Sequence, residues 1–168
     1  MKQKKNIALV AHDNRKSDLL EWVGWNWELL SQHNLICTGT TGRLVEACLQ
    51  ERLPDGKPKA LSIRILKSGP LGGDQQLGSH IVDGLIDMII FFWDPMEPQP
   101  HDVDVKALLR IAVLYNVLTA CNRSTADFLI SSPLLSGPYE RILKDYSNYI
   151  DRNIPEGTGL TVTAVSGG

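Results

Sequence analysis

The chain has 168 residues, 43% of them hydrophobic, and its 17 Lys and Arg against 19 Asp and Glu give a formal net charge of -2. That length suits one domain able to bury a core without disulfide or metal staples. The near-balanced charge excludes a general attraction to nucleic acid or to an anionic membrane, so an anionic ligand has to be held by a local site.

The basic run Lys2-Gln3-Lys4-Lys5 precedes the first strand and reads as a solvated terminus. Ile7 to Ala11 is a continuous apolar run, suited to a strand buried on both faces. A helix is predicted over about Ser17 to Gln32, with Leu19, Leu20, Val23, Trp27 and Leu30 in one stripe and Trp22, Trp25 and Leu29 in a second. Two stripes exceed what one sheet face consumes, which leaves a subunit interface and packing inside the monomer as alternatives.

The alternation continues with a strand over Leu35 to Thr38, a helix over Arg43 to Leu53, a strand over Leu61 to Leu66 and a helix over Gln75 to Leu85. Then come a strand over Ile86 to Trp93, a helix over Val103 to Tyr115, a fifth strand over Val117 to Cys121, a short helix over Thr125 to Ile130 and a last helix over about Tyr139 to Arg152. Alternating strands and helices predict an α/β fold, a three-layer αβα sandwich around a mainly parallel five-stranded sheet. The domain is placed at residues 1–152. The polar stretch Pro54 to Lys59 reads as a surface loop, and residues 153–168 read as a C-terminal tail in which Leu160 to Val165 alternates enough for an edge strand or a contact with a neighbour.

Cys37, Cys48 and Cys121 form an odd set without CxxC spacing, which reads as buried reduced thiols in a reducing compartment rather than a disulfide framework or zinc site. The sequence shows no signal-peptide pattern, and its longest apolar run, Met88 to Trp93, is too short to cross a bilayer, so a cytoplasmic location is expected. No compact metal-ligand pattern such as HExxH is present, and neither a metal nor another cofactor is expected.

Each strand runs into a turn bearing chemistry. After the first lie His12, Asp13 and Lys16; after the second, Thr38-Gly39-Thr40-Thr41-Gly42; after the third, Ser68-Gly69-Pro70-Leu71-Gly72-Gly73-Asp74; after the fourth, Asp94 and then His101, Asp102 and Asp104. Parallel strands would gather these at one sheet edge, where ligands of open α/β sheets bind. The threonine turn joins strand to helix, where free backbone N–H groups and the helix dipole make an anion site. It is not a P-loop, because no Lys-Ser or Lys-Thr closes the glycine run, and it lacks the dinucleotide fingerprint as well. A small phosphate ester fits it. Bland readings stand beside each feature: Thr41 and Asp74 as helix caps, Asp102 and Asp104 as acids at a helix start, His101 as a loop residue and Lys16 as a solvated lysine. Capping would also work against Asp74 as a base, since a helix N-terminus favours the anion.

At these residues the sequence resembles the methylglyoxal synthase family. The resemblance runs from about Asn6 to Arg152 and rests on Ala8-Leu9-Val10-Ala11-His12-Asp13 with Lys16, Thr38-Gly39-Thr40-Thr41-Gly42, Ser68-Gly69-Pro70 with Gly72-Gly73-Asp74-Gln75-Gln76, Phe91-Phe92-Trp93-Asp94-Pro95, and Pro100-His101-Asp102 with Asp104-Val105-Lys106. Asn122 and Thr125-Ala126-Asp127-Phe128 fit too, while the Pro54 to Lys59 region and the tail depart from the pattern. The resemblance implies a homohexamer that converts dihydroxyacetone phosphate to methylglyoxal and inorganic phosphate without metal, inhibited by phosphate and cooperative. It implies Asp74 as the base and His101 as electrophile and proton shuttle, with Asp94 and Asp104 shaping the carboxylate's environment. Phosphate binding would fall to Lys16, Thr38, Gly39, Thr40, Thr41, Ser68 and Gly69, with His12 among them and Asp13 secondary. Two readings compete with this one: a regulatory phosphate-binding module, which would not need Asp74, His101 and Asp104 together, and a receiver domain, which would need an acid cluster and a lysine where Asn122-Arg123-Ser124 stands.

Overall fold

The computed structural model describes residues 1–53, 61–98 and 100–147. Five strands, β1 (Asn6–Ala11), β2 (Asn34–Thr38), β3 (Ser62–Leu66), β4 (Met88–Phe92) and β5 (Leu118–Ala120), form one sheet in the order β3-β2-β1-β4-β5. Every pairing is parallel, with Ile7 opposite both Leu35 and Met88. Among the described residues five helices lie between the strands, α1 (Lys16–Trp25), α2 (Trp27–Leu30), α3 (Gly39–Gln50), α4 (Gly73–Val82) and α5 (Asp102–Leu114), and α6 (Arg123–Ile130) follows β5.

The period-2 geometry of β1 creates the layers. Ile7 and Leu9 face one core with Leu19, Trp22 and Val23 of α1, Val45 and Leu49 of α3 and Ile130 of α6. Ala8 and Val10 face a second core with Leu77 and Ile81 of α4 and Val105, Leu108 and Ala112 of α5. The central strand is thus apolar throughout because helices cover both of its faces. Since β1 sends its chain toward β2 and β4 sends its chain toward β5, the loops leaving their carboxyl ends diverge and open a crevice.

Several expectations are corrected. Lys5 is not a solvated terminal lysine: it is 2% exposed, and its ammonium donates to the carbonyls of Lys2 (2.6 Å) and Gly137. The first helix is broken at Asn26, whose side-chain amide donates to the Trp22 carbonyl and competes with regular propagation. The second apolar stripe dissolves, because Trp22 is buried with its indole N–H on Asp127 (2.7 Å) and Leu29 packs on the core, leaving Trp25 alone outside at 77% exposure. Helix α3 starts at Gly39, so the threonine turn is its first turn rather than a preceding loop, and α4 runs from Gly73 to Val82 instead of from Gln75 to Leu85. Tyr139 to Tyr146 is not helical; it is tied down by tertiary hydrogen bonds from Arg141 to the Ile86 carbonyl and from Asn116 to the Ile142 carbonyl. The remainder of that expected helix from 148 on, the Pro54 to Lys59 loop and the 153–168 tail lie outside the described residues.

All three cysteines are free, with Cys37 buried and its thiol pushed up to about 12 by burial, whereas Cys48 and Cys121 are half-buried. Among the described residues no helix is long and apolar enough to cross a membrane.

Candidate active site

At the carboxyl end of the sheet a cavity of about 250 Å³ is lined by residues from four strand-to-helix connections: His12, Asp13 and Lys16; Thr38, Thr40 and Thr41; Ser68, Gly69, Pro70 and Asp74; and His101. Its centre is an acid–base pair. Asp74 lies in the first turn of α4, 3% exposed, and its Oδ2 accepts a 2.7 Å hydrogen bond from His101 Nδ1. The helix is entered through Gly72 at φ +93°, and no side chain caps it. Asp74 therefore spends its carboxylate on His101 and not on its own helix, which removes the capping explanation.

Two glycines of this turn are crowded, Gly73 by backbone and Gly69 by the side chains of the pair. A Cβ on Gly73 would stand 2.2 Å from the Lys67 carbonyl oxygen, and one on Gly69 would stand 2.6 Å from His101 Cε1 and 3.1 Å from Asp74 Oδ2. Gly73 lets the chain double back beneath Ser68, and Gly69 leaves room for the pair.

His12 extends β1, its backbone N–H donating to the Phe92 carbonyl, and its ring lies edge-on to Phe91 and 5.7 Å from the His101 ring. The Asp94 backbone N–H donates to His12 Nδ1 at 3.4 Å, so the ring proton belongs on Nε2, which is buried without a protein partner. Burial, and then the His101 charge, hold His12 below the ordinary histidine pKa.

The opposite wall is cationic and rich in donors. Lys16, the first residue of α1, reaches Asp13 Oδ1 at 2.5 Å and Thr40 Oγ1 at 3.0 Å. That ammonium holds the Asp13 carboxyl below its usual range, first by its hydrogen bond and then by its charge. Thr38 precedes α3 without capping it, so the backbone N–H groups of the first turn keep their capacity for an anion. Gly39, at φ +38°, lies so close to β3's exit that a Cβ there would be 2.8 Å from Ser68 Cα, which joins the two phosphate-type turns side by side. Among the described residues no group of three or more His, Cys, Asp or Glu is arranged to hold a metal ion.

Comparison with known proteins decides the family. The model of the MGS-like domain matches residues 18–121. A methylglyoxal synthase of Maridesulfovibrio salexigens is 57% identical over 92% of this chain and 100% of its own length, and one from Oleidesulfovibrio alaskensis is 56% identical over 90% and 97%. The crystal structure of methylglyoxal synthase from Elizabethkingia anophelis superimposes with a TM-score of 0.81 at 50% identity, covering 93% of this chain and 96% of that one. The chain belongs to the methylglyoxal synthase family.

Asp74, His101, His12, Asp13, Lys16, Thr38, Thr40, Thr41, Ser68 and Gly69 meet at the cavity. Gly39 supports the cavity from behind, through its approach to Ser68. Asp94 and Asp104 do not line it: the Asp94 carboxylate accepts from the Met96 backbone N–H (3.0 Å), and Asp104 is half-buried in the first turn of α5. Sequence reasoning missed that Asp94 reaches the site through its backbone, on His12 Nδ1. It also missed Asn14, whose side-chain amide donates to Glu97 Oε2 at 2.6 Å and so ties the loop after β1 to the loop after β4. Neither carries a signal in periodicity or turn chemistry, since a backbone donor and a surface amide look alike in any loop.

Proposed function

We propose that this chain converts dihydroxyacetone phosphate to methylglyoxal and inorganic phosphate, with Asp74 as the base and His101 as the acid that works on the enediol oxygens. The observation that carries the assignment of roles is the 2.7 Å Asp74–His101 contact beside a wall of phosphate-type donors. Removing a proton next to a ketone is feasible only if charge developing on the carbonyl oxygen is stabilised at once, so base and donor must act together. The substrate separates the pair: Asp74 takes the proton from the hydroxymethyl carbon, and His101 presents an N–H to the carbonyl oxygen.

Lys16, the hydroxyls of Thr38, Thr40, Thr41 and Ser68, and the backbone N–H groups at Gly39 and Gly69 hold the phosphate end, and His12 offers its Nε2 proton to the same space. Asp94 and Asp104 act from behind, Asp94 by fixing the His12 tautomer. Once the enediol forms, its terminal hydroxyl loses a proton and becomes the aldehyde, the double bond moves to the phosphate-bearing carbon, and the C–O bond breaks with its electrons leaving on phosphate. That phosphate takes up one proton. The enol released is the tautomer of methylglyoxal. His101 and Lys16 supply the positive charge this sequence needs, so activity should survive a chelator.

The assay is direct: chelator-treated protein with dihydroxyacetone phosphate should release methylglyoxal and phosphate in equal amounts. Phosphate release without methylglyoxal would point to a phosphatase, and neither product would end the reading. We place the protein in the cytoplasm as a homohexamer inhibited cooperatively by phosphate. The exposed Trp25, Val113 and Phe128 side chains support association. Light scattering at assay concentration, which should give six times the chain mass, tests it.

A further inference from the structure

The connection between β4 and α5 ends at the cavity, where His101 lines it, and is held at three described points. At its start the Asp94 backbone N–H donates to His12; at its end His101 bonds to Asp74; between them Glu97 accepts from the Asn14 side-chain amide at 2.6 Å. Asn14 lies in the 3₁₀ turn Asp13–Arg15, directly between Asp13 and Lys16 in the chain, while Glu97 stands four residues before His101. Neither side chain lines the cavity. The pair is thus a strut outside the site, joining the loop that grips the phosphate to the loop that presents the acid.

What such a strut controls follows from the reaction read above, on which this inference rests. An enediol bound at the site has two fates: it regains its carbon proton and returns to dihydroxyacetone phosphate, or it expels phosphate. Expulsion requires the C–O bond to the phosphate to lie parallel to the π orbitals of the enediol, so that the electrons of the double bond can displace it. The enediol plane is set by Asp74 and His101, and the direction of the C–O bond is set by where Lys16 and Thr40 hold the phosphate. The torsion is therefore the relative placement of two loops, which Asn14 and Glu97 tie together on their outer side. We propose that Asn14 and Glu97 are a positioning pair that favours phosphate expulsion over reprotonation of the enediol.

The measurement is a partition ratio. In deuterated water, the deuterium incorporated into unreacted dihydroxyacetone phosphate is compared with the phosphate released. Asn14→Ala and Glu97→Ala should each raise that ratio about three- to fivefold, the size expected from losing one solvent-exposed hydrogen bond. Glu97→Gln keeps an oxygen that accepts from Asn14 and should return the ratio to within about twofold of the parent. The Asn14→Ala/Glu97→Ala double variant should be no worse than either single one, because both remove the same contact. Unchanged ratios in the alanine variants, a double variant equal to the product of the singles, or Glu97→Gln behaving as Glu97→Ala would each overturn the proposal. An unsubstituted protein that makes no methylglyoxal would instead sink the reaction itself, and so the two failures are distinguishable.

Discussion

At the amino end of the sheet Lys5, His33 and Asp87 are buried as deeply as His12 and Asp74 are at the carboxyl end, yet the two groups spend their hydrogen-bonding capacity differently. Lys5 donates to two carbonyls, His33 accepts from the Lys5 backbone N–H at 3.2 Å, and Asp87 accepts from the Asn6 backbone N–H at 2.8 Å. Each side chain closes a gap in the backbone where the terminus, the β1 entry and the β4 entry meet. At the other end the carboxylate and imidazole pair with each other, His12 Nε2 is buried with no protein partner, and α3 begins without a side-chain cap. At the amino end the main chain satisfies the buried polar groups, whereas at the carboxyl end the unspent capacity of His12 lies in the cavity wall, where a ligand can use it. Burial alone does not separate the two.

The largest effect that tests this contrast comes from Asp74→Asn. It keeps the shape and the oxygen that accepts from His101 but removes the base, so turnover should fall about a hundredfold or more with the unfolding midpoint little changed. Near-normal turnover would move proton abstraction to another group and erase the functional meaning of the carboxyl end. Gly69→Ala should follow, at about tenfold to a hundredfold, because the new methyl group displaces the His101 ring it would approach to 2.6 Å. The ring can swing where a backbone atom could not, so this variant should fold normally by circular dichroism while losing activity.

Much of this was legible in the chain because its signals are local. The apolar run of β1, the glycines of Ser68-Gly69-Pro70-Leu71-Gly72-Gly73 and the threonine turn after β2 each encode their conformation within a few residues, and the strand–helix alternation then brings the turns to one edge. What escaped was long-range. Lys5 looks like the rest of a solvated basic run until Gly137, 132 positions away, supplies its carbonyl. Trp22 looks like half of an exposed stripe until Asp127 accepts a hydrogen bond from its indole N–H. Whether Asp74 caps its helix or meets His101 is likewise a tertiary choice that spacing leaves open, and only family resemblance pointed to the answer.

The amino end supplies the opposite test. Lys5→Met keeps the stem and removes the ammonium, leaving the Lys2 and Gly137 carbonyls without their donor, and should lower stability in urea by about 1–3 kcal/mol. Its kcat/KM, measured well below the unfolding midpoint, should match the parent. A large loss of activity without loss of stability would contradict the division between the two ends.

The smallest effect is a pH dependence. Burial, then the charges of Lys5 and Lys4, hold His33 below its ordinary pKa, and Nδ1 must stay unprotonated to accept from the Lys5 N–H. In the unfolded chain the ring titrates near its usual value, about 6.5, so between that pH and the lower folded-state value the unfolded form binds more protons. This contribution to stability is complete above about pH 6.5 and is lost as the pH falls toward the folded-state pKa. His12, lowered mainly by burial as well, contributes with the same sign from the carboxyl end. His33→Asn offers an amide oxygen near the Nδ1 position and does not titrate, so its urea midpoint should fall less steeply with acidification than the parent's, without becoming flat. An identical slope in the two proteins would show that His33 is not a source of the acid sensitivity.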